Sequence, residues 1–350
     1  MRRIAVLLGC LLIIAFKGAA QSDTVPSFRD TLEVYEGLFR DTEPLHLTLE
    51  FDIRKFQRTR RQEKYQPVRM TCQVNDTFSV VHPARVKARG SYRRDNCVMP
   101  PFWLNIRYSG IEAPELEGVK RMKMVVRCRN ASQYDAYILR EYIVYRIYEI
   151  VSPYSFRTRL VRLKLVDTGR EGRVTEDWAF LIEPEEMLAR RLGGEAVKTD
   201  RLAMATVNQD IMDLLAMFQY MIGNSDYSVT GRQNLKIIAL TGQGPSGFIP
   251  VPYDFDYTGL VNTHYAIPGK ALGINSVRER YYLGRCTSRE RYLNAISELE
   301  SCREEIDRLI LGFEFLNDEE KMDMVAFIQE FYNAVQREKF IDREIMSTCR

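Results

Sequence analysis

The strongest constraint on the fold is a change of hydrophobic period near Glu183, which separates a strand-rich first half from a helical second half. Apolar and polar residues alternate from Leu45 to Ile53, the period of two that is typical of a strand with one buried face. Similar patterns predict strands over 84–89, 102–108, 121–128, 159–167 and 177–182. A 3.6-residue period predicts one long helix between Ser132, with Asp135 in capping-box spacing, and Pro153.

Helical patterns dominate after Glu183. The sequence predicts helices over 208–222, 289–311 and 318–335, interrupted by a strand pair over 234–240 and 248–253. Runs of strands followed by runs of helices are typical of α+β proteins. We therefore expect an α+β chain with a β-rich lobe over 44–185, which holds the long helix, and a mainly helical lobe over 186–350.

The first 20 residues have the three parts of a secretory signal peptide. Arg2 and Arg3 precede an apolar run over 4–16, and small residues lead up to a cleavage site after Ala20. The run is shorter than the ~20 residues of a membrane-spanning helix, and lipidation at Cys10 is a secondary alternative. We expect an exported chain in the periplasm, cell envelope or medium, with a lead-in over 21–43 and no transmembrane segment after cleavage.

Charge argues against nucleic acid as the partner. The chain has 50 basic and 47 acidic residues, and removal of the predicted signal leaves 47 of each. General affinity for nucleic acid requires surplus cations, so we expect no nucleic-acid partner. The balance is uneven, because residues 51–94 hold 12 bases against 3 acids, whereas residues 298–330 hold 11 acids against 3 bases. The basic stretch favours an anionic ligand.

Cysteine usage fits an oxidising compartment. Six cysteines follow the predicted signal, an even number that allows 15 pairings. The spacing of Cys286 and Cys302 is compatible with one disulfide. The three histidines, His46, His82 and His264, are far apart and lack metal-ligand spacing. We therefore expect neither a zinc site nor a histidine-based catalytic triad.

The residues best suited to chemistry are Asp226, Asn234, Asp254 and Asp256. Asp226 follows a predicted helix end, and the two arms of the predicted strand pair bring Asn234 beside Asp254. Carboxylate and amide oxygens are ligands that Mg²⁺ prefers beside substrate phosphates, and Asp226 is placed to accept a hydroxyl proton. The alternative for each residue is a local cap that bonds its own backbone.

A second arrangement lies upstream, where Lys123 on a predicted strand precedes Glu141 on the long helix. A strand lysine paired with a helix glutamate positions nucleotide phosphates in protein kinases. A solvated strand residue is the alternative interpretation of Lys123. Lys120 and Arg127 compete with it for the same role.

These residues resemble the CotH kinase-like family, spore coat protein H and its relatives, an atypical branch of the protein-kinase-like fold. The resemblance covers roughly Leu45 to Tyr265. It rests on the segments 86–91 and 179–183, on Asp226 and Asn234, and on Tyr253-Asp254-Phe255-Asp256. It implies a two-lobed protein-kinase-like fold that uses ATP with Mg²⁺ or Mn²⁺.

The resemblance also implies roles for individual residues. Asp226 would be the catalytic base, supported by Lys123 and Glu141. The remaining assignments divide into nucleotide contacts, at Arg89, Gly90, Ser91, Lys123 and Glu183, and metal ligands, at Asn234, Asp254 and Asp256. The sequence departs from ordinary kinases in having Asn224-Ser225-Asp226 in place of His-Arg-Asp, and Gly90 as the only glycine of its loop.

The sequence thus predicts an exported kinase-like enzyme that transfers phosphate from ATP to a hydroxyl of a protein or glycan. The scarcity of ATP outside the cytoplasm is its main difficulty. The first alternative is a non-catalytic pseudokinase scaffold in the envelope or at the surface, which binds another protein or a glycan. A second alternative is hydrolysis by paired carboxylates, Asp254 and Asp256, which would lie on one side of an extended strand. The sequence does not indicate an oligomeric state.

Overall fold

The first half of the chain forms a β-sheet that closes on itself. A computed structural model describes residues 38–39, 42–73, 79–106, 121–199 and 202–350. Within these ranges seven strands form a closed barrel in the order β1-β2-β3-β4-β5-β7-β6. The strands are β1 (Leu45–Phe51), β2 (Gln66–Gln73), β3 (Ser79–Ala88), β4 (Phe102–Ile106), β5 (Arg121–Val126), β6 (Thr158–Asp167) and β7 (Arg173–Ile182).

The barrel closes because β1 pairs in parallel with β6, with Leu47 opposite Leu163, while the neighbouring strands pair antiparallel. Alternate residues point inward and form one apolar core, in which Val86, Leu104 and Met124 are fully buried. The predicted two-lobed protein-kinase-like fold is therefore wrong. The alternation in β1 correctly indicated one buried face, but a parallel pairing of strands more than 100 residues apart leaves no local signal in a sequence.

Eight α-helices occur in the described residues: α1 (Ile53–Thr59), α2 (Tyr92–Asn96), α3 (Gln133–Val151), α4 (Glu185–Arg191), α5 (Gln209–Met221), α6 (Arg289–Ser301), α7 (Arg303–Leu311) and α8 (Asp318–Val335). A second sheet has the order β10-β9-β8. Its strands are β8 (Gly194–Ala196), β9 (Leu235–Leu240) and β10 (Phe248–Pro252).

The long helix α3 is the predicted one, and it packs against β6 and β7 on one side and α7 on the other. The expected capping box at its start is wrong, because Ser132 has helical dihedral angles and its side chain makes no capping hydrogen bond. Helix α5 lies within the helix predicted over 208–222. Asn208 accepts hydrogen bonds from two backbone N–H groups, and Gly223 follows with a φ of +66°, where a Cβ would lie 2.9 Å from the carbonyl oxygen of Val277.

The chain divides into Met1–Leu32 and a compact unit, Glu33–Arg350, that holds all the elements above. The predicted signal peptide and almost all of the lead-in over 21–43 lie outside the described residues. The predicted lobe boundary at residue 185 falls within the compact unit, at the start of α4, and stays a prediction. Among the described helices, none combines the length and apolar character needed to span a bilayer.

Two disulfides connect Cys97 to Cys128 and Cys286 to Cys349. The expected pairing of Cys286 with Cys302 is wrong, because Cys286 is bonded to Cys349, while Cys302 is buried with its Sγ 3.8 Å from the carbonyl oxygen of Ile150. Disulfides persist in oxidising compartments, so these two bonds fit an exported chain.

Candidate functional site

The β9–β10 hairpin places Asn234 and Asp254 side by side, as the sequence predicted. The N–H of Tyr253 donates to the carbonyl oxygen of Asn234 at 3.0 Å. Both residues have left-handed backbones, with φ of 51° at Asn234 and 67° at Asp254. Such strain in non-glycine residues is concentrated at functional sites. The Asp254 N–H donates to the Tyr145 hydroxyl of α3 at 2.8 Å, which holds the turn in place.

Asp226 lies just beyond α5 and contacts the same hairpin. Its N–H donates to Asn224 Oδ1 at 2.8 Å. Asn234 Nδ2 donates to Asp226 Oδ2 at 2.9 Å and to the Asp226 carbonyl oxygen at 2.7 Å, and Gln233 donates to Asp226 Oδ1. The amide of Asn234 therefore orients the Asp226 carboxylate. The sequence predicted that both residues belong to one site but did not indicate the hydrogen bond between them.

Lys123 lies on the outer face of β5, opposite Trp103 of β4. Its Nζ is 3.9 Å from the centroid of the Tyr253 ring, a cation–π contact next to Asp254. Burial and the nearby Arg89 guanidinium lower the pKa of Lys123 to about 7, against the opposing effect of Asp254. A lysine with such a pKa exchanges its proton in the neutral range.

Glu141 is buried in α3 and pairs with Arg93 of α2, at 3.6 Å. The predicted pair of Lys123 and Glu141 is thus replaced by an Arg93–Glu141 pair. Arg93 Nη1 is also 3.8 Å from Asp256, and its Nη2 donates to the carbonyl oxygen of Val126 at 2.6 Å. Arg93 therefore connects α2, α3, the end of β5 and the segment after β10.

The carboxylates around Asp254 raise one another's pKa values. Burial and the neighbouring Asp254 raise the pKa of Asp226, and the same two causes raise the pKa of Asp256 to about 7. Burial, with Asp256 next, raises the pKa of Glu141 well above its usual range. The Tyr265 hydroxyl donates to Asp256 at 3.1 Å. The site is thus rich in negative charge, which one buried arginine offsets only in part.

This donor set fits a divalent cation. No group of three or more His, Cys, Asp and Glu side chains forms a metal site within the described ranges. Mg²⁺, however, is usually held by one or two carboxylates and substrate phosphates. Within the same ranges no hydrogen bond or ion pair engages the Asp254 carboxylate or Asn234 Oδ1. These two groups, beside an excess of carboxylates, suit such an ion.

The other predicted nucleotide contacts lie in two places. Arg89 is half-buried, 5.6 Å from the Trp103 ring, and its charge acts on Lys123. Gly90, with a φ of +80°, and Ser91 are exposed in the connection between β3 and α2.

Glu183 is not part of the cluster, because its carboxylate forms a buried bidentate pair with Arg191, with distances of 2.9 and 3.1 Å. Its expected contact with the nucleotide stays a prediction.

The described residues give no support to Arg127 or Lys120 in place of Lys123 as the phosphate contact. Arg127 pairs with Asp135 at 3.2 Å and with Asp177, so its charge is already engaged by two carboxylates just beyond the end of β5. Lys120 lies outside the described residues.

Sequence reasoning missed Arg93, Tyr145 and Tyr265. Arg93 is followed by Arg94 in a basic stretch, and nothing local marks which of them is buried. Tyr145 lies within the predicted long helix, and its hydroxyl accepts the Asp254 N–H. A buried tyrosine hydroxyl needs a partner, and that general rule is the one signal that pointed to such a contact.

The geometry assumed for paired-carboxylate hydrolysis is wrong. Strand β10 ends at Pro252, and the left-handed backbone of Asp254 breaks the extended geometry that would place Asp254 and Asp256 on one side. Asp256 is buried against Arg93 and Tyr265, whereas Asp254 is half-buried.

Comparisons with known proteins add little. Neither a protein-family model nor a curated protein sequence matches the chain. Among solved structures, the chain is similar to the crystal structure of the Helicobacter pylori proinflammatory kinase CtkA, at 8% identity and a TM-score of 0.37, over 66% of this chain and 90% of that one. At that TM-score the likeness carries no argument, so the resemblance to the CotH kinase-like family stays a prediction.

Proposed function

We propose that this site transfers a phosphoryl group from ATP to a hydroxyl of a protein or glycan outside the cytoplasm. The observation that carries the proposal is the position of Asp254. It follows Tyr253, whose ring centroid lies 3.9 Å from Lys123 Nζ and whose N–H donates to the carbonyl oxygen of Asn234. Asn234 in turn donates to Asp226 Oδ2. These contacts support a grouping in which Asp226 would be the base, Asp254 a metal ligand and Lys123 the cation of phosphoryl transfer.

Asp226 would act as the base that orients the acceptor hydroxyl and accepts its proton on a carboxylate oxygen. The two amide donors, Gln233 and Asn234, fix the plane of the carboxylate. Burial and Asp254 raise its pKa, which brings a carboxylate closer to the pKa that suits a general base at neutral pH.

Lys123 and Arg89 would contact the phosphates of the nucleotide. Asn234 Oδ1 and the Asp254 carboxylate would hold Mg²⁺ or Mn²⁺, which would neutralise phosphate charge when bound. A phosphate beside Lys123 favours its charged form. The lowered pKa of Lys123 is therefore a property of the site without nucleotide, and binding of ATP would take up a proton near pH 7.

One observation favours the scaffold alternative. Both oxygens of Asp226 accept hydrogen bonds, from Gln233 and from Asn234, which leaves less capacity for a substrate hydroxyl. A scaffold of this kind would bind a protein or glycan without turnover, so turnover must be measured separately from binding.

The binding step is tested by titration calorimetry with ATP and Mg²⁺. The wild-type protein is compared with Lys123→Ala and with Lys164→Ala. Lys164 is the matched control, a strand lysine at the barrel surface whose Nζ is 4.0 Å from Glu176. We expect at least tenfold weaker binding for Lys123→Ala and no change for Lys164→Ala. Absence of binding to the wild type, or equal affinities for both variants, would overturn the nucleotide site.

A further inference from the structure

Cations and aromatic rings alternate across the outer face of the barrel. The strand register places Lys123 of β5 opposite Trp103 of β4, and Trp103 opposite Lys87 of β3. Lys87 Nζ is in turn 5.5 Å from the centroid of the Tyr65 ring, at the start of β2. Neighbouring strands are spaced ~4.8 Å apart, so these side chains form a row that begins at the candidate site.

Further cations flank this row. Arg85 is opposite Asn105, and Asn105 is opposite Arg121. The guanidinium of Arg121 is 4.4 Å from the Trp103 centroid, and that of Arg85 is 5.4 Å from the Tyr65 centroid. We name Arg85, Lys87, Arg89, Arg121, Tyr65 and Trp103 the basic face. Its aromatic rings hold the cations in place.

The basic face lacks acidic partners in the described part of the chain, where no carboxylate lies within ion-pair distance of its four cations. Two cations elsewhere on the barrel surface are paired. Arg69 of β2 lies 3.5 Å from Glu50, and Lys164 of β6 lies 4.0 Å from Glu176. A sheet surface that concentrates positive charge and leaves it unneutralised is suited to an anionic partner.

The spacing of the cations indicates the form of that partner. Arg85, Lys87 and Arg89 occupy alternate positions at the end of β3, on the side opposite the buried Ala84, Val86 and Ala88. Alternate residues of a strand recur every ~6.6–6.8 Å, which is also the spacing of alternate side chains in any extended peptide. Aspartate or glutamate at every second position of such a peptide would match the three cations.

We infer that the basic face docks an extended, acidic segment of a partner protein. The observations favour a peptide over nucleic acid, because single-stranded nucleic acid gains much of its affinity from bases that stack on exposed aromatic faces. Here both rings are already within cation–π distance of arginine or lysine. The inference goes beyond the proposed phosphoryl transfer. It shares Arg89 with the proposed nucleotide site, whereas Arg85, Lys87 and Arg121 lie outside that site, so docking is tested without nucleotide.

Fluorescence anisotropy tests this docking without nucleotide. The probe is a labelled synthetic peptide of alternating Glu and Ser, with an alternating Gln and Ser peptide and a thymidine oligonucleotide as comparison ligands. The variant Arg85→Gln/Lys87→Gln removes two cations of the basic face, and Lys164→Gln/Arg173→Gln removes two from β6 and β7. Circular dichroism and thermal melting establish that both variants fold.

We expect the wild type to bind the acidic peptide, with at least tenfold weaker binding for Arg85→Gln/Lys87→Gln and an unchanged affinity for Lys164→Gln/Arg173→Gln. Equal loss in both variants, or equal binding of the Gln peptide, would overturn the inference. Tighter binding of the oligonucleotide than of the acidic peptide would assign the face to nucleic acid instead and would also overturn it.

Discussion

Arg93 Nη1 lies 3.6 Å from Glu141 Oε2, and both side chains are almost completely buried. The pair joins α2, which follows the β3 strand, to α3 at the back of the candidate site. Tyr265 and Asp256 extend the network, because the tyrosine hydroxyl donates to Asp256 and Asp256 faces Arg93. The geometry of the site therefore depends on one buried cation among carboxylates.

Replacing Arg93 by methionine should destabilise the protein strongly. Removal of one partner leaves Glu141 as an uncompensated buried charge, which typically costs about 3–5 kcal/mol. The control is Arg61→Met, which breaks an exposed pair with Asp95 and should leave the free energy of unfolding almost unchanged. The free energy of unfolding in denaturant measures both.

The double variant Arg93→Met/Glu141→Gln separates charge from packing. Because it also removes the buried negative charge, we expect it to recover part of the stability lost in Arg93→Met. A loss in Arg93→Met no larger than in Arg61→Met would show that the buried pair does not hold the site together.

Lys123 should be reactive at neutral pH. Its pKa is lowered from the ordinary 10.5 to about 7, so a neutral amine is present above pH 7. Acylation at increasing pH, followed by peptide mass spectrometry, should show a midpoint near 7 for Lys123. A midpoint near the ordinary 10.5 would contradict the buried environment assigned to Lys123.

The same shift has a consequence for stability. Between pH 7 and the ordinary value of 10.5, the unfolded chain holds more protons on Lys123 than the folded chain does. The deprotonation of Lys123 must therefore make the free energy of unfolding rise with pH through this window. Lys123→Met should flatten the rise in the free energy of unfolding between pH 7 and 10, and an unchanged slope would contradict the lowered pKa.

The disulfide between Cys97 and Cys128 should anchor Arg93. Cys97 follows α2 directly, and its N–H donates to the carbonyl oxygen of Arg93 at 3.0 Å. The bond closes a segment with a sequence separation of 31, for which chain entropy predicts about 3–4 kcal/mol of stabilisation.

Cys97→Ser/Cys128→Ser should lose that stability and bind ATP with Mg²⁺ more weakly, because Arg93 is no longer held. Cys286→Ser/Cys349→Ser is the matched control, with a sequence separation of 63. It should lose stability without weakening nucleotide binding. Equal effects of the two pairs on binding would show that the first disulfide has no special connection to the site.

Parts of the fold were predictable because their signals are local. The apolar patterns over 208–222 and 318–335 predicted α5 and α8, and Asn317 caps the start of α8, where its side chain accepts from the Glu320 N–H. The closed barrel was not predictable, because the pairing of β1 with β6 joins distant segments. The break between α6 and α7 at Cys302 was also missed, since the apolar pattern continues through it.

The candidate site likewise combines features that local sequence predicts with features that depend on distant segments. The hairpin that brings Asn234 beside Asp254 is a short-range feature, and its prediction is confirmed by the Tyr253 to Asn234 hydrogen bond. The partner of Glu141 was not accessible from sequence. Arg93 and Lys123 are both cations upstream of α3, and only the path of the barrel strands decides which one reaches the glutamate.

Phosphoryl transfer from ATP with Asp226 as the base is tested by ATP turnover in Mg²⁺, measured as ADP formation. The proteins compared are the wild type, Asp226→Asn and Asp318→Asn. Asp318 is an exposed aspartate in the first turn of α8 and serves as the matched control. Loss of a general base typically costs 10²–10⁴-fold in rate. We expect a loss in that range for Asp226→Asn with ATP binding retained, and no loss for Asp318→Asn. A wild type that binds ATP without forming ADP, or an Asp226→Asn variant as fast as the wild type, would contradict it.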